Sequence, residues 1–320
     1  MKDNQQILGT EPIGKLLIKY SVPAIIGMIV NGLYNVVDRI FITGVAPITL
    51  DSTTSGFNIA KDITKNIRFN DMLGFSKEDV KYLMTEIDIP EEKQEELIPI
   101  IKENYDGYVF SDEIDTEKLN AYKLYNSNMT LYFLDAYQEQ QKVPKVMIDT
   151  NILSDYKKIE AFMNLCQNMN KIELLEKIVA EEPVESELTE KFNAEISFGE
   201  KELISLLFYL GYLTIVKVGF SKSSFKIPND VIRKIYSEYF LEYISRKAQI
   251  ITNTIDTETM SEEILKEGKI DKSIETLGTF LTNLSNKDYQ RFDEKYIKVI
   301  FYSICRMLGA VYVKSELEVG

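Results

Sequence analysis

Residues 203–218 read LISLLFYLGYLTIVKV, the most apolar run in the interior of the chain. Gly211 divides this run, because glycine is the usual residue just beyond the end of a helix. The part before it is typical of a buried helix that ends near Tyr209, and the β-branched part after it predicts a strand over 213–218. A short run with a central glycine favours this helix–turn–strand unit over a membrane-crossing helix.

The flanking sequence predicts a hairpin surrounded by helices. Residues 224–227 can pair back on the predicted strand, and Pro228 is suited to the first turn of a helix that reaches about Arg246. Further upstream, Ser76 followed three residues later by Asp79 is a variant capping box, which predicts the start of another helix. The remaining predicted elements are helices over 90–105, 127–140, 154–168 and 170–181, a polar boundary or helical spacer over 249–272, two helices within 271–309 and a strand over 310–319.

Composition excludes several kinds of active site. The chain has 320 residues, 45% of them hydrophobic, and contains neither histidine nor tryptophan. A Ser/His/Asp triad and a histidine-ligated metal are therefore impossible, and no metal site is predicted. Cys166 and Cys305 lie in apolar helical patterns, which predicts buried thiols in a reducing, cytoplasmic compartment. The 50 acidic and 37 basic residues give a net charge of -13, which repels phosphate backbones and argues against nucleic acid as a partner.

Residues 16–37 are the stretch whose length suits a membrane helix. They are mostly apolar, with Lys19 and Asn31 as interruptions, and about 20 apolar residues cross a bilayer core. Two interpretations stay open. The stretch is either a membrane helix, which would associate the protein with a membrane, or a buried amphipathic helix that packs against the rest of the chain.

The N-terminal string ILGTEPIGKLLIKYSVPAIIGMIVNGLYNVVDRIFI resembles the start of multidrug and toxic compound extrusion (MATE) transporters. The resemblance covers about residues 7–43 and implies a MATE-like segment over 1–43 with one hydrophobic helix. In that family an acidic residue of the first helix takes part in cation coupling, and the resemblance implies this transport role for Asp38. An intramembrane carboxylate is costly and therefore usually functional.

A second resemblance spans residues 40–320. The strings that carry it are FITGVAPITLDSTTSGFNIAKDIT, FNDMLGFSKEDV, IIKENYDGYVFS, LYNSNMTLYFL, ISLLFYLGYLTI, FKIPNDVIRKIYSEYFLEYI and RFDEKYIKVIFYSI. They are similar to bacterial AAA-ATPase-like proteins that carry a C-terminal PD-(D/E)XK nuclease-like domain. This resemblance implies a mainly helical ATPase-like region over 44–250, then a helical spacer and the truncated start of the nuclease-like domain over 251–320.

Both resemblances together predict a chimeric chain joined within residues 36–50. The expected fold is mainly α with small β elements: an N-terminal hydrophobic helix, a central helical domain with a β-hairpin, and an incomplete α/β nuclease-like C-terminus. By resemblance, Thr43 occupies a sensor-like position of the ATPase, and Glu294 and Glu316 are remnants of the nuclease carboxylates. The parent family uses ATP and magnesium, but the sequence lacks recognisable Walker A, Walker B and strand-borne (D/E)xK elements, so no cofactor is expected.

The function predicted from these patterns is a catalytically incomplete ATPase-like and nuclease-like protein that is at most a helical binding or scaffold module. Two alternatives stay open: a fragment related to a MATE antiporter with a single membrane helix, and a Mg-dependent ATPase or nuclease completed by a partner chain. The partner is unknown. Incomplete sheets would leave strand edges at 39–43 and 310–319, which favour self-association or a protein partner.

Overall fold

The fold is known here from a computed structural model. It describes residues 63, 65–148, 156–165, 171–189, 192, 198–250, 256–284, 294–306 and 308. Within these residues the protein is mainly helical with one small antiparallel sheet, which confirms the predicted fold class at that level. No helix in these ranges combines the length and apolarity that crossing a membrane requires. The helix predicted within 16–37 and the strands predicted at 39–43 and 310–319 lie outside the described residues.

The elements follow the chain in a helix-rich order. They are α1 Lys77–Glu86, α2 Glu91–Tyr105, α3 Ser127–Gln140, α4 Tyr156–Leu165, α5 Lys171–Val179, β1 Val184–Ser186, α6 Glu200–Tyr209, β2 Thr214–Val218, β3 Ser223–Lys226, α7 Asp230–Ala248, α8 Thr257–Glu262, α9 Asp271–Asn283 and α10 Glu294–Arg306. Short 3-10 turns cover Ile67–Phe69 and Thr116–Tyr122, and α8 continues into a π-helical turn at Glu263–Glu267.

Local capping signals placed several helix ends correctly. At the start of α1, the Asp79 backbone N–H donates to Ser76 Oγ over 3.1 Å and the Ser76 N–H donates to Asp79 Oδ2 over 2.8 Å. This reciprocal pair is the predicted capping box, and it satisfies two backbone donors that lack helical partners. The predicted bounds of α3 are confirmed, and α6 ends at Tyr209 before Gly211, whose φ is +78°.

The sheet has one strand more than the predicted hairpin. β2 and β3 form that hairpin, with a bulge between Ile215 and Lys217, and β1 adds on the other side of β3. Val184 pairs with Phe225, and both side chains are buried. Three residues are too few to show a strand periodicity in sequence, so β1 was missed.

Helix α7 lies at the centre of the helical body. It packs against α2, α4, α5, α9 and α10, and its buried residues occur on nearly all sides of the helix. A helix surrounded in this way lacks one wide polar face, which is why its sequence lacks a simple amphipathic stripe. Asn229 caps its N-terminus by accepting from the Ile232 N–H over 3.2 Å. The hydrophobic core around it includes residues from Val80 to Leu308.

A buried polar turn joins the start of α7 to the end of α2. Gly107 has a φ of +108°, and the Asn229 side-chain amide donates to the Asp106 carbonyl over 3.1 Å. A Cβ at Gly107 would lie 2.3 Å from the Pro228 carbonyl oxygen, so only glycine fits. Thr214 Oγ1 donates to the Gly107 carbonyl over 2.9 Å and accepts from the Val109 N–H over 3.0 Å, which ties β2 to the same turn.

We therefore expect Gly107→Ala to lower the free energy of unfolding by about 3 kcal/mol, because alanine disfavours the positive φ and its Cβ would collide with backbone. Urea denaturation measures this change. Gly278→Ala is the matched control: Gly278 lies inside α9 with nothing within 4 Å of the added Cβ. Gly278→Ala should raise the free energy of unfolding by about 0.5–1 kcal/mol, because alanine has a higher helix propensity than glycine. Equal effects at both positions would contradict the steric account.

Candidate functional site

A cleft of about 560 Å³ lies among α4, α5 and α7 and is open to solvent on one side. Its floor is apolar, since Met163, Leu175 and Tyr239 are almost completely buried beneath it. Ile172 and Tyr243 are half-buried at its walls. This volume and this mixture of an apolar floor with a few polar groups are typical of ligand-binding clefts.

An ion triad forms one rim of the cleft and connects two of its helices. Arg246 Nη1 donates to Glu160 Oε1 on α4 over 2.7 Å, and Arg246 Nη2 donates to Glu242 Oε1 one helical turn earlier on α7, also over 2.7 Å. The guanidinium therefore has two carboxylates as partners. Exposed pairs of this kind add little stability individually, but a planar guanidinium shared by two helices restricts how the rim can move.

Further along the rim, two lysines line the cleft. Lys171 is the first residue of α5, and Lys247 is near the end of α7. Lys247 Nζ lies 5.3 Å from the centroid of the Tyr243 ring, a distance at which the cation is attracted to the aromatic face. That contact places its charge beside the cleft mouth.

The protonation states of the cleft follow from these contacts. The hydrogen bond that Arg246 donates lowers the pKa of Glu160, and the hydrogen bonds that Arg246 donates to Glu160 and Glu242 raise its own pKa. Burial raises the pKa of Tyr239 to about 12. At neutral pH Glu160 is therefore a carboxylate, Arg246 is a cation and the Tyr239 hydroxyl is a neutral donor.

A second group of charges joins α5, α7 and α10 near the start of α7. Glu181 follows α5 with a φ of +61°, and its Oε1 accepts from Arg233 Nε over 2.9 Å and from Arg306 Nη2 over 2.6 Å. Asp230 pairs with Arg233 as well. The Arg306 side chain is only 8% exposed. These charges are paired with one another, and the cluster links α5, α7 and α10.

Of the residues proposed from family resemblance, Glu294 is the one that lies in the described part of the chain. Glu294 is the first residue of α10 and is exposed, and its neighbour Lys295 pairs with Glu182 over 2.6 Å. Among the described residues, no group of three acidic or cysteine side chains could hold a metal ion. Asp38, Thr43 and Glu316 lie outside the described residues. Cys305 is buried as predicted, and burial raises the pKa of its thiol to about 11.

Sequence reasoning did not find the cleft. Its walls come from three helices that are far apart in the chain, and no motif connects them. The spacing of Tyr239 with Tyr243 and of Glu242 with Arg246 does place each pair on one face of α7. The same spacing also occurs on ordinary solvated faces, so it could not distinguish a cleft from a surface.

No protein-family model, curated protein or solved structure matches this chain.

The Glu181 cluster predicts a specific pH dependence. Burial by itself would raise the pKa of Glu181, but Arg233 and Arg306 outweigh burial and lower it from its ordinary value of 4.5. A carboxylate whose pKa falls on folding stabilises the protein above its unfolded pKa, and this stabilisation is lost as the pH falls through the folded pKa.

We expect Glu181→Gln to lower the free energy of unfolding by about 1–3 kcal/mol at neutral pH, because the half-buried Arg233 and the nearly buried Arg306 lose their shared partner. Urea denaturation of both proteins should show this difference shrinking once the pH drops below 4.5, the ordinary pKa. Glu95→Gln, on an exposed position of α2, is the control and should change little at any pH. If the difference in free energy of unfolding between the two proteins stayed constant below the ordinary pKa of Glu181, the ionic explanation would be wrong.

Proposed function

We propose that this chain is a helical binding module and that the cleft among α4, α5 and α7 is its binding site. The observation that carries this proposal is the combination of a buried apolar floor with a charged rim in one cleft. We further propose, from the resemblance of residues 40–320, that the module descends from AAA-ATPase-like proteins with a nuclease-like domain and has no catalysis of its own.

Preorganisation supports a binding role. The floor residues Met163 and Leu175 belong to the hydrophobic core, so they are in place before any ligand arrives. Arg246 connects α7 to α4 across the rim through Glu160. Binding in such a cleft costs little conformational entropy, because the protein is already ordered. Burial of the half-buried Ile172 and Tyr243 side chains by the ligand is favourable through the hydrophobic effect.

The fluorescent probe 8-anilinonaphthalene-1-sulfonate, an aromatic anion, tests the cleft directly. Because the chain contains no tryptophan, probe emission can be excited without an indole background. We expect saturable binding, and we expect Ile172→Glu to weaken it about tenfold by placing a charge on the apolar wall. The thermal midpoint of each variant confirms that it remains folded.

Ile274→Glu is the matched control, since Ile274 is 50% exposed on α9 and does not line the cleft. It should leave probe affinity unchanged. If both substitutions have the same effect, the probe binds elsewhere and the cleft is not the binding site.

The catalytic part of the proposal has a separate test. In millimolar Mg-ATP we expect ATP hydrolysis no faster than in buffer alone and no shift of the thermal unfolding midpoint. A purely binding role would be contradicted if magnesium-dependent ATP hydrolysis copurified with the folded chain at constant specific activity. Cleavage of DNA by the same preparation would contradict it equally.

A further inference from the structure

The tip of the β2–β3 hairpin presents a whole aromatic ring to solvent. Among the described residues, Phe220 is the most exposed large apolar side chain, and it is completely exposed. The end of β2 beside it is anchored, since the Val218 N–H donates to Thr116 Oγ1 over 3.0 Å. Aromatic side chains dominate the energetics of many protein interfaces, because burial removes a large apolar surface from water. An anchored hairpin that carries such a ring is suited to docking.

A second cavity, of about 270 Å³, lies beside α8 and α9. Met260 and Phe280 line it and are buried, and Ile250 lines it as a half-buried side chain. An apolar cavity of about 150 Å³ can hold a benzene ring, so this one is large enough for the ring of a phenylalanine. Helix α8 also continues into the π-helical turn at Glu263–Glu267, and such turns are frequent at functional sites.

The hairpin has a local excess of positive charge in a chain whose net charge is -13. Residues 214–226 contain three lysines and no acidic residue. The elements that pack against the hairpin are β1 and the 3-10 turn at Thr116–Tyr122. The charged residues of these two elements and of their ends are Asp115, Glu117, Lys118, Lys123, Glu185 and Glu187. When all of them are counted with the hairpin, five lysines stand against four carboxylates.

The α8–α9 cavity lies in an acidic part of the chain. Residues 256–284 contain seven acidic and three basic residues. The cavity itself is lined by Glu275 and by Asp256, which attracts the lining residue Lys272. Helix α10 packs against α9 and adds three cations that already have partners: Lys295 with Glu182, Lys298 with the Tyr302 ring and Arg306 with Glu181. The charge around the cavity is therefore complementary to that of the hairpin.

Some of these charges already take part in contacts within the chain. Asp256 caps the start of α8, and on the hairpin Lys222 is attracted to Glu187. Within the part of the chain that the structure describes, Lys217 and Glu275 are exposed and make no ion pair. Lys217 precedes the hairpin tip by three residues, about 10 Å along a strand, so its long side chain can reach the rim of a cavity that the tip enters.

We propose that the hairpin tip of one copy of the chain docks into the α8–α9 cavity of a second copy. The Phe220 ring then contacts Met260 and Phe280 in the cavity. At the rim, Lys217 lies beside Glu275. Phe220 is completely exposed within its own chain, so the cavity that it enters belongs to another copy. The tip and the cavity are different surfaces, so the contact is head-to-tail, and further copies can add until a ring closes.

The size of this contact determines its strength. One aromatic anchor and one ion pair make a small interface, which implies weak and reversible association. The contact does not involve the cleft among α4, α5 and α7, so the two sites can be tested independently.

Sedimentation velocity of the full chain, at concentrations from about 10 μM to about 1 mM, tests the association. We expect the weight-average sedimentation coefficient to rise reversibly with concentration. Phe220→Ser should weaken the association about tenfold or more, because it removes the aromatic anchor. Leu73→Ser is the matched control, since Leu73 is 79% exposed and belongs to neither surface. It should leave the association unchanged.

Two results of this experiment would overturn the proposal. The first is a chain that stays monomeric over the whole range of concentration. The second is a Phe220→Ser variant that associates as strongly as the parent chain or as Leu73→Ser.

Charge reversal tests which surfaces meet. Lys217→Glu and Glu275→Lys should each weaken the association about threefold to tenfold, because each places like charges opposite one another. The double variant should recover most of the parent association, since the ion pair is restored with its signs exchanged. Both positions are exposed, so each variant should keep the thermal unfolding midpoint of the parent chain. If the two losses simply add in the double variant, these residues do not meet and the proposed docking is wrong.

Discussion

The turn at Asp106 and Gly107, closed by Pro228 and Asn229, is the constraint on which the arrangement of the described elements depends. It brings the end of α2, the start of β2 and the start of α7 within hydrogen-bonding distance, using partners more than one hundred residues apart in the chain. These bonds are buried, so breaking them would leave polar groups without water or protein partners. The absence of a side chain at Gly107 lets the two backbones approach closely enough to form them.

This constraint and the cleft lie at opposite ends of the same helix. Asn229 caps the start of α7, and Arg246 and Lys247 stand in its last turn. A helix of this size is about 28 Å long and nearly rigid, so the position of its first turn determines the position of its last. Packing against five other helices removes the remaining freedom. The rim of the proposed binding site is thus positioned by contacts made far from it.

Local signals predicted the helical elements well because those signals act within a few residues. The capping box at Ser76, the bounds of α3 and the end of α6 before Gly211 each depend on the backbone bonds of one helix end. The strand β1 was missed because it is three residues long and exists only through pairing with β3. The cleft was missed for a related reason, since each of its walls has an ordinary helical sequence.

By itself, the sequence determined the mainly helical class, the hairpin, the positions of most helix ends and the absence of histidine chemistry. Those properties follow from composition and from interactions between close neighbours in the chain. Only the tertiary structure decided that β1 joins the hairpin, that Gly107 lies beneath Pro228 and that three helices enclose a cleft. The contacts that stabilise these features join residues distant in sequence, such as Arg246 and Glu160. No local sequence pattern indicates which distant residue will be the partner.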